Sequence, residues 1–556
     1  WQPAGVRSDE SVLVEDGRIF TMLGSAGSRQ AVETHTTNLS SLKSSSMVAL
    51  STTPPLRLAI DGEEYWAFGS GFAFDTGTLR RGAEVARSLT PKSVAASPSR
   101  DSQNSKGTRL SSQQSGDFAA ALWRSDGSVE FHCDYFGASA WYIYRGDGIR
   151  IVASSFLLAV EVARACGEKL ALNVQTIDAD FTSLTQSFQQ PLLDDLELIG
   201  FSYLSPDRDL VITKHGEDAI GVSQMGLDLA TPDRFTVARY DELLEAAKTG
   251  LLDNCRALAE DPHVTSIRCD ITGGLDSRFV LAGFLAHADI LGDKLSLHTE
   301  SAGNAPSAED ESIATLIAEA TGLSFSHRGD NMIGPCTPEH LAQKQVAATF
   351  GTYWHRGHGH AMQWDPGVVL SSGAGLDDVA RDYTTKSWQI VSNPVQAPGE
   401  VSFDLAKQVF KWRGKATLKA TPTRGVREIA RAWDPLPGTQ AEKASQLFNF
   451  HRARFHGGGA IPSALGAWRI TPGQTRSLYQ LRLMAGHVID GPQVQLELIH
   501  RLSPDLAAVP FGSEAYNAAY SSTYGDARTD LTGDRDGLRR AREARQGSRQ
   551  WTPCSV

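Results

Sequence analysis

The chain has 556 residues, 41% of them hydrophobic, which is enough apolar material for more than one sizeable core, so two globular domains are expected. A formal net charge of -11 and a pI near 5.8 argue against a general nucleic-acid or anionic-membrane surface and favour small-molecule or peptide partners. Six scattered cysteines (Cys133, Cys166, Cys255, Cys269, Cys336 and Cys554) form no CxxC pair, so neither a disulfide framework nor a cysteine zinc site is signalled. Residues 1–16 carry charge without an apolar h-region, and no apolar run approaches about eighteen residues; a cytoplasmic chain without a membrane span is expected.

In chain order, residues 11–75 alternate short β-like runs, such as Ser11–Glu15 and Leu56–Ile60, with polar turns. Residues 87–114 then turn to Ser, Gln, Asn, Pro and Lys and are expected to form a mobile insertion. Strand patterns resume at Phe118–Trp123, Ser128–His132, Trp141–Tyr144 and Ile149–Ala153, each bounded by Gly or Asp turns, as in an antiparallel sheet. From about residue 236 the texture changes, and Tyr240–Ala259 carries Leu, Ala and Cys at helical spacing. Ser266–Ile271 reads as a buried strand and Asp276–His287 as the helix after it. Leu295–Thr299 reads as the next strand, and Glu309–Gly322 as an amphipathic helix closed by Gly. Such alternation requires a mostly parallel sheet with right-handed crossovers. Beyond Gly525 the sequence is polar and rich in Arg and Asp, as in a solvated tail. The expected division is therefore 1–225, 236–524 and a tail over 525–556.

The densest chemical signal is Cys269-Asp-Ile-Thr-Gly-Gly-Leu-Asp-Ser-Arg278, where a strand runs through Ile271 into two glycines and a helix. Polyphosphate suits such a turn: Gly273 and Gly274 let the backbone approach closely, the helix N-terminus offers N–H groups, and Thr272 and Ser277 add hydroxyls. Asp276 makes sense beside phosphates mainly as a Mg²⁺ ligand. A plain strand–turn–helix connection, with Asp276 favoured in the first turn, accounts for these six residues equally well. A second segment, Val368-Val-Leu-Ser-Ser-Gly-Ala-Gly-Leu-Asp-Asp-Val379, repeats the pattern of apolar strand, Ser/Gly loop and carboxylates. Both loops are expected at the C-terminal ends of neighbouring parallel strands, where Asp276 and Asp377 could share one metal.

With these two segments the chain resembles the asparagine-synthetase superfamily, which includes β-lactam synthetases and lasso-peptide cyclases. The first family motif, SGGxDS, matches Thr272–Ser277, with Thr for the leading Ser. The second, close to LSGxGxDE, matches Ser371–Asp378, with Ser371 for Leu and Asp378 for Glu. Between them His298-Thr299 occupies the strand end that contacts adenine in the family, and Asp310 opens the following helix. Phe448–Phe455 and Trp468-Arg-Ile-Thr-Pro472 look like a weakened form of its Arg-rich helical segment and R-x-P motif. Upstream, Gly116–Trp123, Asp134–Gly137, Trp141–Tyr144 and Ile151–Ser155 look like the core of its N-terminal amidotransferase domain. The resemblance implies an α+β N-terminal amidotransferase-like (Ntn) sandwich followed by an α/β ATP-pyrophosphatase domain of the adenine nucleotide α-hydrolase type. It also implies ATP held by Ile271, Thr272, Gly273, Gly274, Asp276, Ser277, His298, Thr299, Ser372 and Gly373, with Mg²⁺ on Asp276 and Asp377.

The chain departs from the family pattern at three points. A glutaminase of this type needs an N-terminal cysteine, whereas the first cysteine here is Cys133, so the sandwich is expected to be a structural relic. Where the family places Glu or Tyr between the two loop glycines stands Ala374, which can neither accept a proton nor orient an amine. A C-terminal lysine that stabilises the reacting adenylate is also missing, the last lysine being Lys443. Arg452, Arg454, Arg469 or Arg482 could hold phosphate charge in its place. A replacement base is sought in Tyr353–His360, which carries His355, His358 and His360 just before the second loop, with His451 and His456 as further candidates; a polar Gly-rich turn and a hydrogen-bonded helix explain these histidines as readily. The catalytic candidates are His355, His358, Arg454 and Arg469. The expected partners are a small-molecule or peptide carboxylate, an amine, and a precursor peptide or pathway protein. The expected reaction is ATP-dependent amide formation, ring-closing or intermolecular, with a non-catalytic nucleotide-binding homologue as the other reading.

Overall fold

The structure is a computed structural model. It describes residues 19–23, 40–43, 47–51, 56–60, 63–75, 77–91, 110–112, 115–147, 149–177, 193–213, 218–299, 305–326, 332–335, 362–365, 367–380, 468–485 and 492–524, with positions 431, 443, 446, 450 and 489. The first domain begins with β1 (Ile19–Leu23), β2 (Ser40–Lys43), β3 (Met47–Ser51), β4 (Leu56–Ile60), β5 (Glu63–Asp75), β6 (Thr78–Arg81), β7 (Leu89–Pro91) and β8 (Leu110–Ser112). It continues with β9 (Gly116–Arg124), β10 (Val129–Cys133), β11 (Tyr142–Gly146), β12 (Ile149–Ala153), helix α1 (Phe156–Ala165), β13 (Phe201–Tyr203), β14 (Arg208–Ile212) and β15 (Asp218–Val222). Two antiparallel sheets result, ordered β13-β11-β12-β1-β3-β2 and β15-β14-β10-β9-β5-β4, with β6 beside β5.

Alternation along these strands decides the layering. Phe68, Ala121, Trp123, Phe131, Trp141, Ile143 and Val152 point between the sheets and form their shared core. The opposite face of the first sheet packs Tyr142, Tyr144, Ile151 and Phe201 against Ala159, Val162 and Ala163 of α1, whose start is capped by Ser155. The opposite face of the second sheet packs Tyr65, Ala67, Phe118 and Leu122 against Val85 and Ala86 of a 3₁₀ turn over Gly82–Ser88. The expected sandwich layering is thus present, with a 3₁₀ turn on one side. The stretch expected to be mobile, 87–114, departs from expectation at both ends: Leu89–Pro91 pairs antiparallel with Leu110–Ser112, and Leu89 is buried in the core. Leu89 anchors this ribbon, a signal outvoted in the sequence by the Ser- and Lys-rich residues after it.

Helices α2 (Gln224–Ala230) and α3 (Val237–Glu260) lead into the second domain. There β16 (Ser266–Asp270) is followed by α4 (Leu275–Leu285), β17 (Leu295–His298), α5 (Ala305–Thr321) and β18 (Phe325–Ser326). After the small ribbon of β19 (Met332–Pro335) and β20 (Met362–Trp364) come β21 (Val368–Ser371), α6 (Leu376–Ala380), β22 (Trp468–Ile470), α7 (Arg476–Ala485), α8 (Pro492–Leu502), α9 (Pro504–Ala508) and α10 (Glu514–Tyr524). Five parallel strands form one sheet ordered β18-β17-β16-β21-β22. Counted along the chain this is 3-2-1-4-5, so the order reverses between β16 and β21, the position where doubly wound sheets open a crevice for ligands.

The helix expected to open at Asp310 instead begins at Ala305, because Pro306 fits a first helical turn and fixes φ there. One apolar cluster unites Leu244, Leu251, Ile267, Phe279, Leu297, Ile317, Val369 and Leu496 of the second domain with Phe72, Phe74 and Tyr135 of the first. Arg81 also reaches Asp261 at 2.7 Å. Among the described residues no helix is long and apolar enough to cross a membrane.

Candidate functional site

β16 delivers the chain through Ile271, whose N–H donates to His298 O at 2.7 Å, into the loop Thr272–Gly274. Gly274 is the N-cap of α4 and supplies no side-chain cap, so the first N–H groups of that helix face the loop mouth. Internal acceptors hold the loop in shape. Thr272 N–H donates to Ser277 Oγ at 3.2 Å, Gly274 N–H to Thr272 Oγ1 at 3.3 Å, and Gly273 N–H to Asp310 Oδ1 at 2.7 Å.

The two glycines do different work. A Cβ on Gly273 would lie 2.8 Å from Ile313 and 3.1 Å from the backbone of Gly512, whose N–H donates to Gly273 O at 2.9 Å. A Cβ on Gly274 would meet only Thr272 Oγ1, at 3.4 Å. Close approach at Gly273 is therefore made to protein, and Gly274 leaves space for a ligand.

Behind the loop, Arg278 is fully buried. It donates to the carbonyls of Val509, Leu506 and Pro510, with its guanidinium 3.8 Å from the centre of the Phe511 ring. Burial pushes its pKa down to about 9, still above neutrality, so the three carbonyls meet a cation. Ser277 and Arg278 are consecutive, so one turn of α4 braces the loop on one side and fixes Gly512 against it on the other.

The second loop meets the first directly. Gly373 sits so close to α4 that a Cβ would fall 2.4 Å from Asp276 C and Ser277 N. Beside it, Ser372 Oγ accepts from Ala374 N–H at 3.3 Å and from Arg469 Nε at 3.1 Å, and Thr471 Oγ1 donates to Ala374 O at 3.2 Å. Asp276 is oriented by a residue that the sequence did not single out. Gln495, fully buried on α8, donates through Nε2 to Asp276 Oδ1 at 2.5 Å. The backbone at Asp377 lies in the first turn of α6, after this loop.

A third contribution comes from β17. His298 Nδ1 lies 2.8 Å from Asp270 Oδ1 across the β16–β17 pair. A carboxylate only accepts, so Nδ1–H donates and Nε2 remains for another partner. Four atoms around these strand ends are closed to solvent and have no hydrogen-bond partner among the described residues: His298 Nε2, Thr299 Oγ1, Ser371 Oγ and Gln495 Oε1. Since a buried polar atom without a partner costs roughly 1–3 kcal/mol, four together mark a place where a polar ligand could complete the bonding.

The structure thus gathers Ile271, Thr272, Gly273, Gly274, Asp276, Ser277, His298, Thr299, Ser372, Gly373 and Arg469 around the ends of adjacent strands. The Arg482 guanidinium, on α7, lies 5.3 Å from the centre of the Tyr479 ring. His355, His358, His360, His451, His456, Arg452 and Arg454 lie outside the described residues, as does the side chain of Asp377. Among the described residues no group of three or more His, Cys, Asp or Glu is assembled for a metal. Asp270, Arg278, Gln495 and Gly512 were missed by sequence reasoning. Asp270 and Arg278 had a local signal, standing beside Ile271 and Ser277; Gln495 meets Asp276 across 219 positions, which no spacing rule reveals.

No protein-family model matches the chain, and no curated protein matches it in sequence. Among solved structures it resembles glutamine phosphoribosylpyrophosphate amidotransferase from B. subtilis, described as complexed with ADP and GMP. The identity is 11% over 74% of this chain and 92% of that one, with a TM-score of 0.21. A structure titled the allosteric regulatory enzyme of purine biosynthesis is 12% identical over 73% of this chain and 93% of that one, also with a TM-score of 0.21. The similarity is a distant structural resemblance to an amidotransferase, and the functional reading rests on the loops themselves.

Proposed function

We propose that this chain binds ATP with Mg²⁺ and uses it to join a carboxylate to an amine, releasing AMP and pyrophosphate. The observation that carries the reading is the contact of two Ser/Thr- and Gly-containing loops at the reversal point of a 3-2-1-4-5 sheet, with Gly373 seated on Asp276 and Ser277. The donor set fits a nucleotide polyphosphate: the uncapped N-terminus of α4, the open flank of Gly274, the Thr272, Ser277 and Ser372 hydroxyls, and the Arg469 guanidinium. Asp276 suits Mg²⁺, which takes one or two carboxylates together with phosphate oxygens, and Asp377 follows the partner loop. The metal would neutralise charge on the leaving pyrophosphate.

In the proposed reaction a substrate carboxylate oxygen attacks the α-phosphorus and the bond to the bridging oxygen breaks, so pyrophosphate leaves with the electron pair. The amine then attacks the acyl carbon, AMP departs, and the amine proton passes to a base. Ala374 cannot be that base. A ring-closing reaction and an intermolecular one both satisfy this scheme. Ala374 itself favours a second reading, in which the chain binds nucleotide without forming an amide.

Incubation with ATP, Mg²⁺ and a panel of carboxylates should release pyrophosphate, and Asp276→Ala should reduce release at least about 100-fold. Release unchanged in that variant, or no ATP binding by the wild-type chain, would overturn the ligase reading. Binding without release under any carboxylate would select the second one.

A further inference from the structure

Asp228 on α2 stands between the domains, 8% exposed, with its carboxylate filled by donors. Oδ2 accepts from Tyr135 Oη at 2.7 Å and from Arg476 Nε at 2.7 Å; Oδ1 accepts from Arg476 Nη2 at 2.9 Å and from Gln224 Nε2 at 3.0 Å. The bidentate Arg fork and the phenol fix three chain segments at one point. Tyr135 belongs to a rigid turn of the first domain, in which Asp134 accepts from the N–H groups of Phe136 and Ala138 at 3.1 Å and of Ser139 at 3.2 Å. Burial, and then the charge of Asp228, push the Tyr135 phenol well above its ordinary pKa, so it stays a donor across the neutral range. Its ring also meets Phe136 and Tyr479 edge-on.

Arg476 opens α7, and the five residues before it form a strap that runs back to the candidate site. At the strap's far end Thr471 Oγ1 donates to Ala374 O at 3.2 Å. In its middle Asn254 Nδ2 donates to Pro472 O at 2.8 Å, and Gly473 is so close that a Cβ would lie 3.0 Å from Phe279 and 3.2 Å from Leu376, the first residue of α6. The strap therefore touches the Ser371–Asp378 loop at one end and the Asp228 carboxylate at the other.

We propose that the Tyr135–Asp228–Arg476 node is a positioning device. Through Thr471–Arg476 the first domain fixes the backbone of the second loop, so it contributes to ligand binding without touching the ligand. This inference rests on the nucleotide reading of that loop. Ordinary interdomain cohesion would lower stability on mutation and leave the affinity of the folded chain alone. A positioning node moves affinity, and two cuts in the same strap are not independent.

The test is a double-mutant cycle on the full chain, reading equilibrium binding of ATP with Mg²⁺ by calorimetry below each variant's melting temperature. Tyr135→Phe and Thr471→Val should each weaken binding about fivefold, and the double variant about fivefold to tenfold rather than about 25-fold. Arg476→Lys keeps the charge without the fork and should give an intermediate loss. It replaces Tyr135→Phe in the cycle if that variant fails to fold. Wild-type affinity in the single variants, or losses that multiply, would overturn the node while leaving the nucleotide reading intact. No ATP binding by the wild-type chain would remove both.

Discussion

Both domains bury polar groups, but they do so in opposite ways. In the first, Arg124, Glu130, His132 and Asp209 form a cluster in which charge meets charge: Glu130 bonds Arg124, His132 Nε2 lies 3.2 Å from Glu130, and His132 Nδ1 lies 3.6 Å from Asp209. In the second, His298 Nε2, Thr299 Oγ1 and Ser371 Oγ at the ends of the parallel strands, and Gln495 Oε1 on α8, have no partner among the described residues. The first arrangement is held by opposed charges, although His132 Nδ1, 3.6 Å from Asp209, makes no hydrogen bond among the described residues. The second is incomplete, so a ligand has something to contribute there. The two regions differ in whether a facing charge offsets the burial of a polar group.

The contrast can be broken most forcefully at Gly373. An alanine there would press its Cβ into the backbone of Asp276 and Ser277, which cannot give way as a flexible side chain could. Gly373→Ala should therefore separate the loops and weaken ATP binding by about 100-fold or more, with a destabilisation of about 1–3 kcal/mol in denaturant titrations. A milder cut is Gln495→Met, which keeps volume while removing the donor to Asp276. Binding of ATP with Mg²⁺ should fall about tenfold, the usual scale for losing an orienting partner behind a metal ligand, with little change for ATP alone. Equal losses with and without Mg²⁺ would detach Asp276 from metal binding.

The smallest effect concerns the first domain. Burial alone would push the His132 pKa down, but the facing carboxylates of Asp209 and Glu130 win and raise it to about 9. The ordinary value of 6.5 applies in the unfolded chain, so the stabilisation is complete below that pH and is lost as pH climbs through 9. Wild type should lose on the order of 3 kcal/mol more than His132→Gln across that window, as an upper bound. ATP affinity of the folded variant should stay unchanged, because the cluster serves the sandwich alone. A matching loss of affinity would erase the division between the domains.

Much of the secondary structure was legible in the sequence. The strand patterns at 149–153 and 368–371, and the helical spacing over 240–259, depend on local periodicity, and the structure places strands and a helix there. The two loops could be paired because each comes after an apolar run, and β16 and β21 do lie side by side. Gly273 was read as room for phosphate, whereas it makes room for Gly512, and Gly373 makes room for Asp276. A missing Cβ says that something approaches, not what. Asp310 was seen only as a helix start, yet its carboxylate holds Gly273 N–H, because its neighbour comes from another strand end.

Arg278 and the carbonyl of Val509 are 231 residues apart, and Gln495 is 219 beyond Asp276. At roughly 5–20 residues per second of synthesis, the loop waits on the order of 10–45 s after its own translation for the segments that brace it. During that interval a nascent chain carries the Thr272–Ser277 sequence without the contacts that brace it in the finished fold.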